Sequence, residues 1–249
     1  MPDLFGATEK SITLSGFNFS AAPVDELGST EYTIVQGVLD VSGSVAGFIK
    51  ELENCMVEVM KSCQKSPRAD NLLLRWLTFE DSVEEHHGFT ELRNLNESAY
   101  KGKLQSGGMT ALYDATLNGL ESMQAYGNQL FDMEYDCNGL IVVVTDGIDN
   151  MSAHSPDQIK KAIEDIRKEE KMESLLAILI GVGIDQDVKL GLQNFKDDAG
   201  FDQFLAIADA NKNTIAKMAN FISQSVSSSS QALGSGGASQ PINPASIGF

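Results

Sequence analysis

The sequence predicts an α/β domain: a doubly wound, mostly parallel central sheet with helices on both faces and one short antiparallel edge strand. Three observations carry this. Short β-rich runs alternate with segments whose apolar residues recur at helical spacing. Two runs, residues 139–145 and 175–183, are almost continuously apolar, as parallel strands covered on both faces require. The chain has 249 residues, 42% hydrophobic and 21% charged, enough to build one substantial core.

Residues 32–39 form the first strand, ending on Asp40. Val45, Phe48, Ile49, Leu52, Met56, Val59, Met60 and Cys63 then mark one face of a long helix that Pro67 stops. Residues 72–79 are the second strand. Residues 83–92 alternate weakly and read as the short edge strand, with His86 and His87 on a solvated edge. Ser106-Gly107-Gly108-Met109-Thr110 opens a helix reaching about residue 125. The strand at 139–145 ends on Asp146, and Cys137 precedes it in a loop. Ser155, Pro156 and Gln158 have the chemistry of a capped helix start. A strand at 175–183, a helix to Gly200 capped near Asp185, a strand at 201–207 and a final helix through Ile215, Met218, Ile222 and Val226 complete the pattern. Domain boundaries follow: an extension at 1–30 with a strand near 11–19, the domain at 31–227, and a flexible Ser/Gly/Pro-rich tail at 228–249.

Charge narrows the function. Lys and Arg number 18 against 35 Asp and Glu, a net charge of -17. That argues against a nucleic-acid binder, which needs a basic face for the phosphates, and disfavours anionic membranes. No apolar run approaches the roughly 18 residues of a membrane helix. The first residues lack the basic and apolar regions of a secretory signal, and Cys55, Cys63 and Cys137 suit reduced thiols, so a cytoplasmic protein is expected.

Ligands of open α/β sheets sit beyond the carboxyl ends of the strands. There the first strand delivers Asp40-Val41-Ser42-Gly43-Ser44, and the best buried strand delivers Thr145-Asp146-Gly147-Ile148-Asp149-Asn150. The glycine pair Gly107-Gly108 lets a third loop bring up Thr110. Two carboxylates and three hydroxyls form an all-oxygen donor set, suited to a hard divalent cation.

The conjunction of D-V-S-G-S, G-G-M-T and V-V-V-T-D-G resembles the von Willebrand factor A (vWA) domain and its metal-ion-dependent adhesion site (MIDAS), in the style of intracellular bacterial or phage members. The resemblance implies a vWA, Rossmann-like fold over about residues 32–226, with Asp40, Ser42, Ser44, Thr110 and Asp146 as metal ligands. Gly43, Gly108 and Asp149 would shape or hydrogen-bond the ligand loops. It implies Mg²⁺, with Mn²⁺ or Ca²⁺ as substitutes, completed by an Asp or Glu of a partner protein. The expected role is a non-enzymatic intracellular scaffold or adaptor, in settings that include stress response. Two alternatives are a metal-dependent phosphohydrolase with Asp40 as nucleophile, and a structural subunit that self-assembles through its termini. Against the first, Ser42 stands where a second Asp is wanted, and no lysine follows the metal loops closely.

Overall fold

The computed structural model describes residues 10–14 and 16–249. Residues 1–9 and 15, with most of the segment tested as a secretory signal and the start of the 1–30 extension, lie outside them. In chain order the elements are β1 (Lys10–Thr13), β2 (Asn18–Ala21), β3 (Glu31–Asp40), α1 (Ile49–Gln64), β4 (Leu72–Phe79), β5 (Val83–Glu91) and α2 (Leu112–Asp132). They continue with β6 (Asp136–Thr145), α3 (Pro156–Lys168), β7 (Leu175–Val182), α4 (Gln186–Ala199), β8 (Gln203–Ile207) and α5 (Lys212–Gly234). The eight strands form one sheet in the order β1-β2-β5-β4-β3-β6-β7-β8. It is mostly parallel, with antiparallel pairs at β1–β2 and β4–β5.

Side-chain alternation along the strands makes two cores. In β6, Leu140, Val142 and Val144 join the layer under α1 and α5, while Ile141 and Val143 face α2 and α3. β3 is the pivot. From it the chain steps to β4 on one side, then returns after α2 to β6 on the other. This reversal opens a crevice at the adjacent carboxyl ends of β3 and β6. Ser155 and Gln158 do form the expected capping box on α3, and the Asp185 carboxylate accepts the Asp187 and Val188 N–H groups to cap α4.

Several sequence expectations need correction. β5 is not an edge, because β2 pairs with it in parallel at Ala21 and Phe89. A buried cation secures that join: Arg75 Nε donates to Glu85 Oε2 at 2.7 Å and Nη1 to Gln36 Oε1 at 2.9 Å. Its guanidinium lies 5.6 and 5.5 Å from the Phe19 and Phe89 ring centroids. Glu85 in turn accepts the Ser20 N–H at 3.0 Å, tying β2 down. His87 is therefore buried, and burial pushes its pKa down to about 3. The neutral ring donates from Nδ1 to the Gly88 carbonyl and accepts the Tyr100 hydroxyl at Nε2, 2.9 Å each. Cys137 lies within β6 and is buried, not in a loop. A 3₁₀ turn, Gly43–Gly47, precedes α1, and α2 runs on to Asp132.

The expected flexible tail is also different. Residues 228–234 are the last turns of α5, and the segment after them folds back onto the sheet and α5. Ser223 and Ser225 donate to the carbonyls of Ala219 and Phe221, so these two serines stay buried in the helix with their hydroxyls paired. Beyond the helix, Asn138 Nδ2 donates to Ser239 Oγ, Gln203 Nε2 to the Ile242 carbonyl, and Lys217 Nζ to the Gly248 carbonyl. These contacts engage the chain's own sheet and helix.

The pivot strand tolerates no side chain at one point. A Cβ on Gly37 would come within 2.2 Å of Trp76 Cε3 on β4. Gly37→Ala should therefore lower stability by about 1–3 kcal/mol through overpacking, read as a lower urea midpoint at unchanged m-value.

Candidate metal centre

The crevice between β3 and β6 gathers the predicted residues. β3 and β6 run in register, with Leu39 opposite Val144, so Asp40 and Thr145 end side by side. Thr145 donates its hydroxyl to Asp40 Oδ2 at 2.6 Å, and the Ser42 N–H donates to Asp40 Oδ1 at 2.8 Å. The second bond turns the chain sharply after β3 and fixes where Ser42 and Ser44 project. Their Oγ atoms stand 3.1 Å apart, and the Ser44 hydroxyl donates to Asp146 Oδ1 at 2.7 Å. Asp40, Ser42, Ser44 and Asp146 thus form one connected cluster, although Ser44 and Asp146 are 102 residues apart.

Thr110 joins through backbone. Its N–H donates to Asn150 Oδ1 at 2.9 Å, and its carbonyl accepts the Asn150 N–H at 3.1 Å. The loop before it is tied to the Asp40 loop by Gly43 N–H to the Gly108 carbonyl, 3.3 Å, and Gly107 N–H to the Val41 carbonyl, 3.0 Å. Gly108 has φ +64°, and a Cβ there would lie 2.8 Å from Asp81 Oδ1. Glycine is required at that position on both counts.

Asp149 does not bond to any of the five. It accepts the Ser152 hydroxyl and the Tyr113 N–H, fastening the loop after β6 to the first turn of α2 just beyond Thr110. Residues that the sequence did not single out complete the scaffold. Thr145 anchors Asp40, Asp81 accepts the Met109 N–H, and the Glu80 carbonyl accepts the Ala111 N–H at 2.9 Å. Only Thr145 carried a signal, as the residue ending an apolar strand immediately before Asp146. Asp81 and Glu80 reach the site through the β4–β5 turn, which no local pattern links to it. His154 pairs with Asp114, Nδ1 to Oδ1 2.8 Å, and serves the start of α3.

Burial is graded. Asp40 is 1% exposed, Ser42 2% and Thr110 6%, whereas Asp146 is half-buried and Ser44 exposed. Burial raises the Asp40 pKa against the opposing Ser42 and Thr145 hydrogen bonds, and the neighbouring Asp146 charge raises it further. Burial raises the Asp146 pKa as well. Two carboxylates that disfavour their own charge, opening to solvent on one side, suit a divalent cation. Among the described residues, no group of three or more His, Cys, Asp and Glu side chains is placed to hold a metal. An ion here must therefore use the hydroxyls, and neutral oxygen is what Ser42, Ser44 and Thr110 provide. The donor set fits a hard cation.

No protein-family model matches the chain, and no curated protein matches it. Solved structures do. The PilB minor pilin of Streptococcus sanguinis aligns at TM-score 0.58 and 16% identity, over 85% of this chain and 64% of the pilin. Proximal thread matrix protein 1 (PTMP1) of the mussel byssus, solved with a zinc-occupied MIDAS motif, aligns at TM-score 0.52 and 20% identity, over 81% of this chain and 46% of its own length. The SpaC pilus adhesin of Lactobacillus rhamnosus GG aligns at TM-score 0.57 and 9% identity, over 88% and 34%. This chain spans less than two thirds of each of these three proteins. What the likeness establishes is a shared fold, a mostly parallel α/β sheet with helices on both faces.

Proposed function

We propose that this chain is a non-enzymatic, metal-dependent protein-binding module of the vWA type, in which Asp40, Ser42, Ser44, Thr110 and Asp146 hold Mg²⁺, or Mn²⁺ or Ca²⁺ in its place. The observation that carries the reading is the connected cluster of Asp40, Ser42, Ser44 and Asp146 at the sheet's switch point. The zinc-occupied MIDAS motif of the similar mussel protein supports a divalent ion at such a place. Bound there, the ion would supply an electrophilic position for an Asp or Glu of a partner protein. The chain's own residues do the rest: Thr145 and the Ser42 N–H hold the Asp40 carboxylate, Ser44 orients Asp146, and Asn150 holds Thr110 in place.

The cluster argues against a phosphohydrolase. Both Asp40 oxygens accept hydrogen bonds at 2.6–2.8 Å and the residue is 1% exposed, which suits a fixed anion and not an attacking nucleophile. A scaffold or adaptor role follows from binding without turnover. Three buried thiols without a disulfide suit a reducing, intracellular compartment. Among the described residues, no helix is long and apolar enough to cross a membrane.

Calorimetric titration of Mg²⁺ should give one site in the wild type. Asp146→Ala, which removes a half-buried ligand, should weaken it by at least about tenfold, and Asp40→Ala should abolish it. Equal binding in all three proteins would refute the assignment.

A pH dependence follows from the two carboxyls. Their pKa values are raised in the fold, so the metal-free protein takes up protons on folding. Their contribution to its stability is full below the unfolded carboxyl value, about 3.9, and is lost as pH rises through the raised folded values. The same protons compete with a cation. The rise in Tm on adding Mg²⁺ should therefore be largest near neutral pH and shrink steadily as the solution is acidified, as scanning calorimetry would show.

A further inference from the structure

Among the described residues six large apolar side chains stand exposed, and four of them lie around the metal centre. Met109 is 46% exposed, Ile148 and Met151 are each 50% exposed, and Leu190 on α4 is 60% exposed. Ile148, Met151 and Leu190 belong to the loop after β6 and the facing part of α4, and Met109 to the loop before Thr110. Thr110 and Asn150 bond to each other through both backbone and side chain, which sets Met109 and Met151 on either side of that junction. Ile148 lies three residues before Met151, and its Cγ2 is 2.7 Å from where a Cβ on Gly191 would stand, next to Leu190. Exposed apolar side chains scattered singly are ordinary, but a cluster continuous with a ligand-accepting position marks a contact surface. Two are methionines, whose flexible side chains adapt to a partner.

The opposite flank is acidic. Asp81 accepts the Met109 N–H, and Glu80 Oε2 lies 3.2 Å from where a Cβ on Gly107 would stand, so the β4–β5 turn borders the Thr110 loop. Glu80 and Glu84 line a cavity of about 580 Å³ that reaches Val41, between Asp40 and Ser42. Lys103 offers one basic group on its wall, against those two carboxylates and Asp81 beside them. Glu85, also on the wall, is committed to Arg75.

We infer that the metal centre docks a protein segment of defined chemistry: a central Asp or Glu, an apolar side chain on one side of it seated against Ile148, Met151 and Leu190, and a Lys or Arg on the other side over the Glu80–Glu84 cavity. The inference rests on the metal-centre reading above and adds the partner's sequence pattern. It also removes a difficulty in that reading, since a protein of net charge -17 repels an acidic partner at long range. A carboxylate carried beside a basic residue is steered in by the second and bound through the first. The same net charge disfavours a second copy of this chain as the occupant.

The test uses short synthetic peptides with a central Glu, arrayed with Leu, Lys, Glu or Gly at the flanking positions, against the full chain in Mg²⁺ and in EDTA. Binding should require Mg²⁺, and a peptide with Leu on one side and Lys on the other should bind at least about tenfold tighter than one flanked by Gly alone. Ile148→Ser with Leu190→Ser should erase the Leu preference only. Glu84→Gln should weaken the Lys preference only. Both variants should keep wild-type Mg²⁺ affinity by calorimetry. Mg²⁺-dependent binding without flank preference, or with a preference for acidic flanks, would overturn the inference and leave the metal site standing. So would Mg²⁺ uptake with no peptide bound, or a dimer that Leu190→Ser dissolves in sedimentation. Failure of the wild type to take up Mg²⁺ would overturn both readings.

Discussion

A carboxylate buried at the end of the central strand is the constraint on which the rest of this structure depends. Asp40 is almost without solvent, and burial raises its pKa despite hydrogen bonds from Ser42 and Thr145. Leaving an anion there is costly unless its environment compensates. Each compensating contact dictates geometry. The Ser42 N–H reaches Asp40 Oδ1 only if the chain turns at once after β3, and that turn carries Ser44 to Asp146. Thr145 reaches Oδ2 only if β6 lies beside β3 in the observed register. The crossover that places β6 there is thus coupled to the site it serves.

Rigidity comes from cross-ties between loops and from the strands that launch them. Val41 N–H donates to the Phe79 carbonyl at 2.9 Å, so the Asp40 loop is pinned to the end of β4 as well as to the Gly107–Gly108 pair. Asn150 does the same between the loop after β6 and Thr110. Loops held in this way lose little further conformational freedom when a ligand arrives, which favours affinity.

The sequence made the central architecture legible because β6 and β7 are almost continuously apolar and β3 and β6 lead straight into acidic residues. Those residues, Asp40 and Asp146, are the ones the structure brings to one crevice. What the sequence hid has a common cause, long-range pairing. Residues 83–92 look like a solvated edge until β2, 65 residues earlier in sequence by the Ser20–Glu85 bond, covers them. Arg75 in a strand centre and paired His86-His87 suggest exposure by residue type, yet Arg75 and His87 are buried because Glu85, Gln36 and Tyr100 satisfy them. The serine run of α5 reads as linker by composition, yet it continues the helix over the strand surface, where the Ser229 carbonyl accepts from Asn138 and Ser230 Oγ from Arg68. Asp149 was well placed in sequence for the site, but its carboxylate serves the Ser152 turn and α2.

That serine run shows how polarity is distributed along the domain. Ile215, Met218, Ile222 and Val226 bury the upper part of α5 in apolar contact, near the carboxyl ends of the strands. The lower part lays serines over Thr33 and Asn138, and there Thr33 Oγ1, Asn138 Oδ1 and Ser229 Oγ are buried without a partner. Each such atom costs about 1–3 kcal/mol. The returning chain offsets part of this, since Asn138 Nδ2 bonds both the Ser229 carbonyl and Ser239 Oγ, and Ser174 Oγ donates to Ser239. Apolar packing therefore braces the end of the domain that must hold two carboxylates together. The opposite end is closed by hydrogen bonds from a segment that packs back over the sheet. Strength is concentrated where the buried charge of Asp40 makes the greatest demand on the fold.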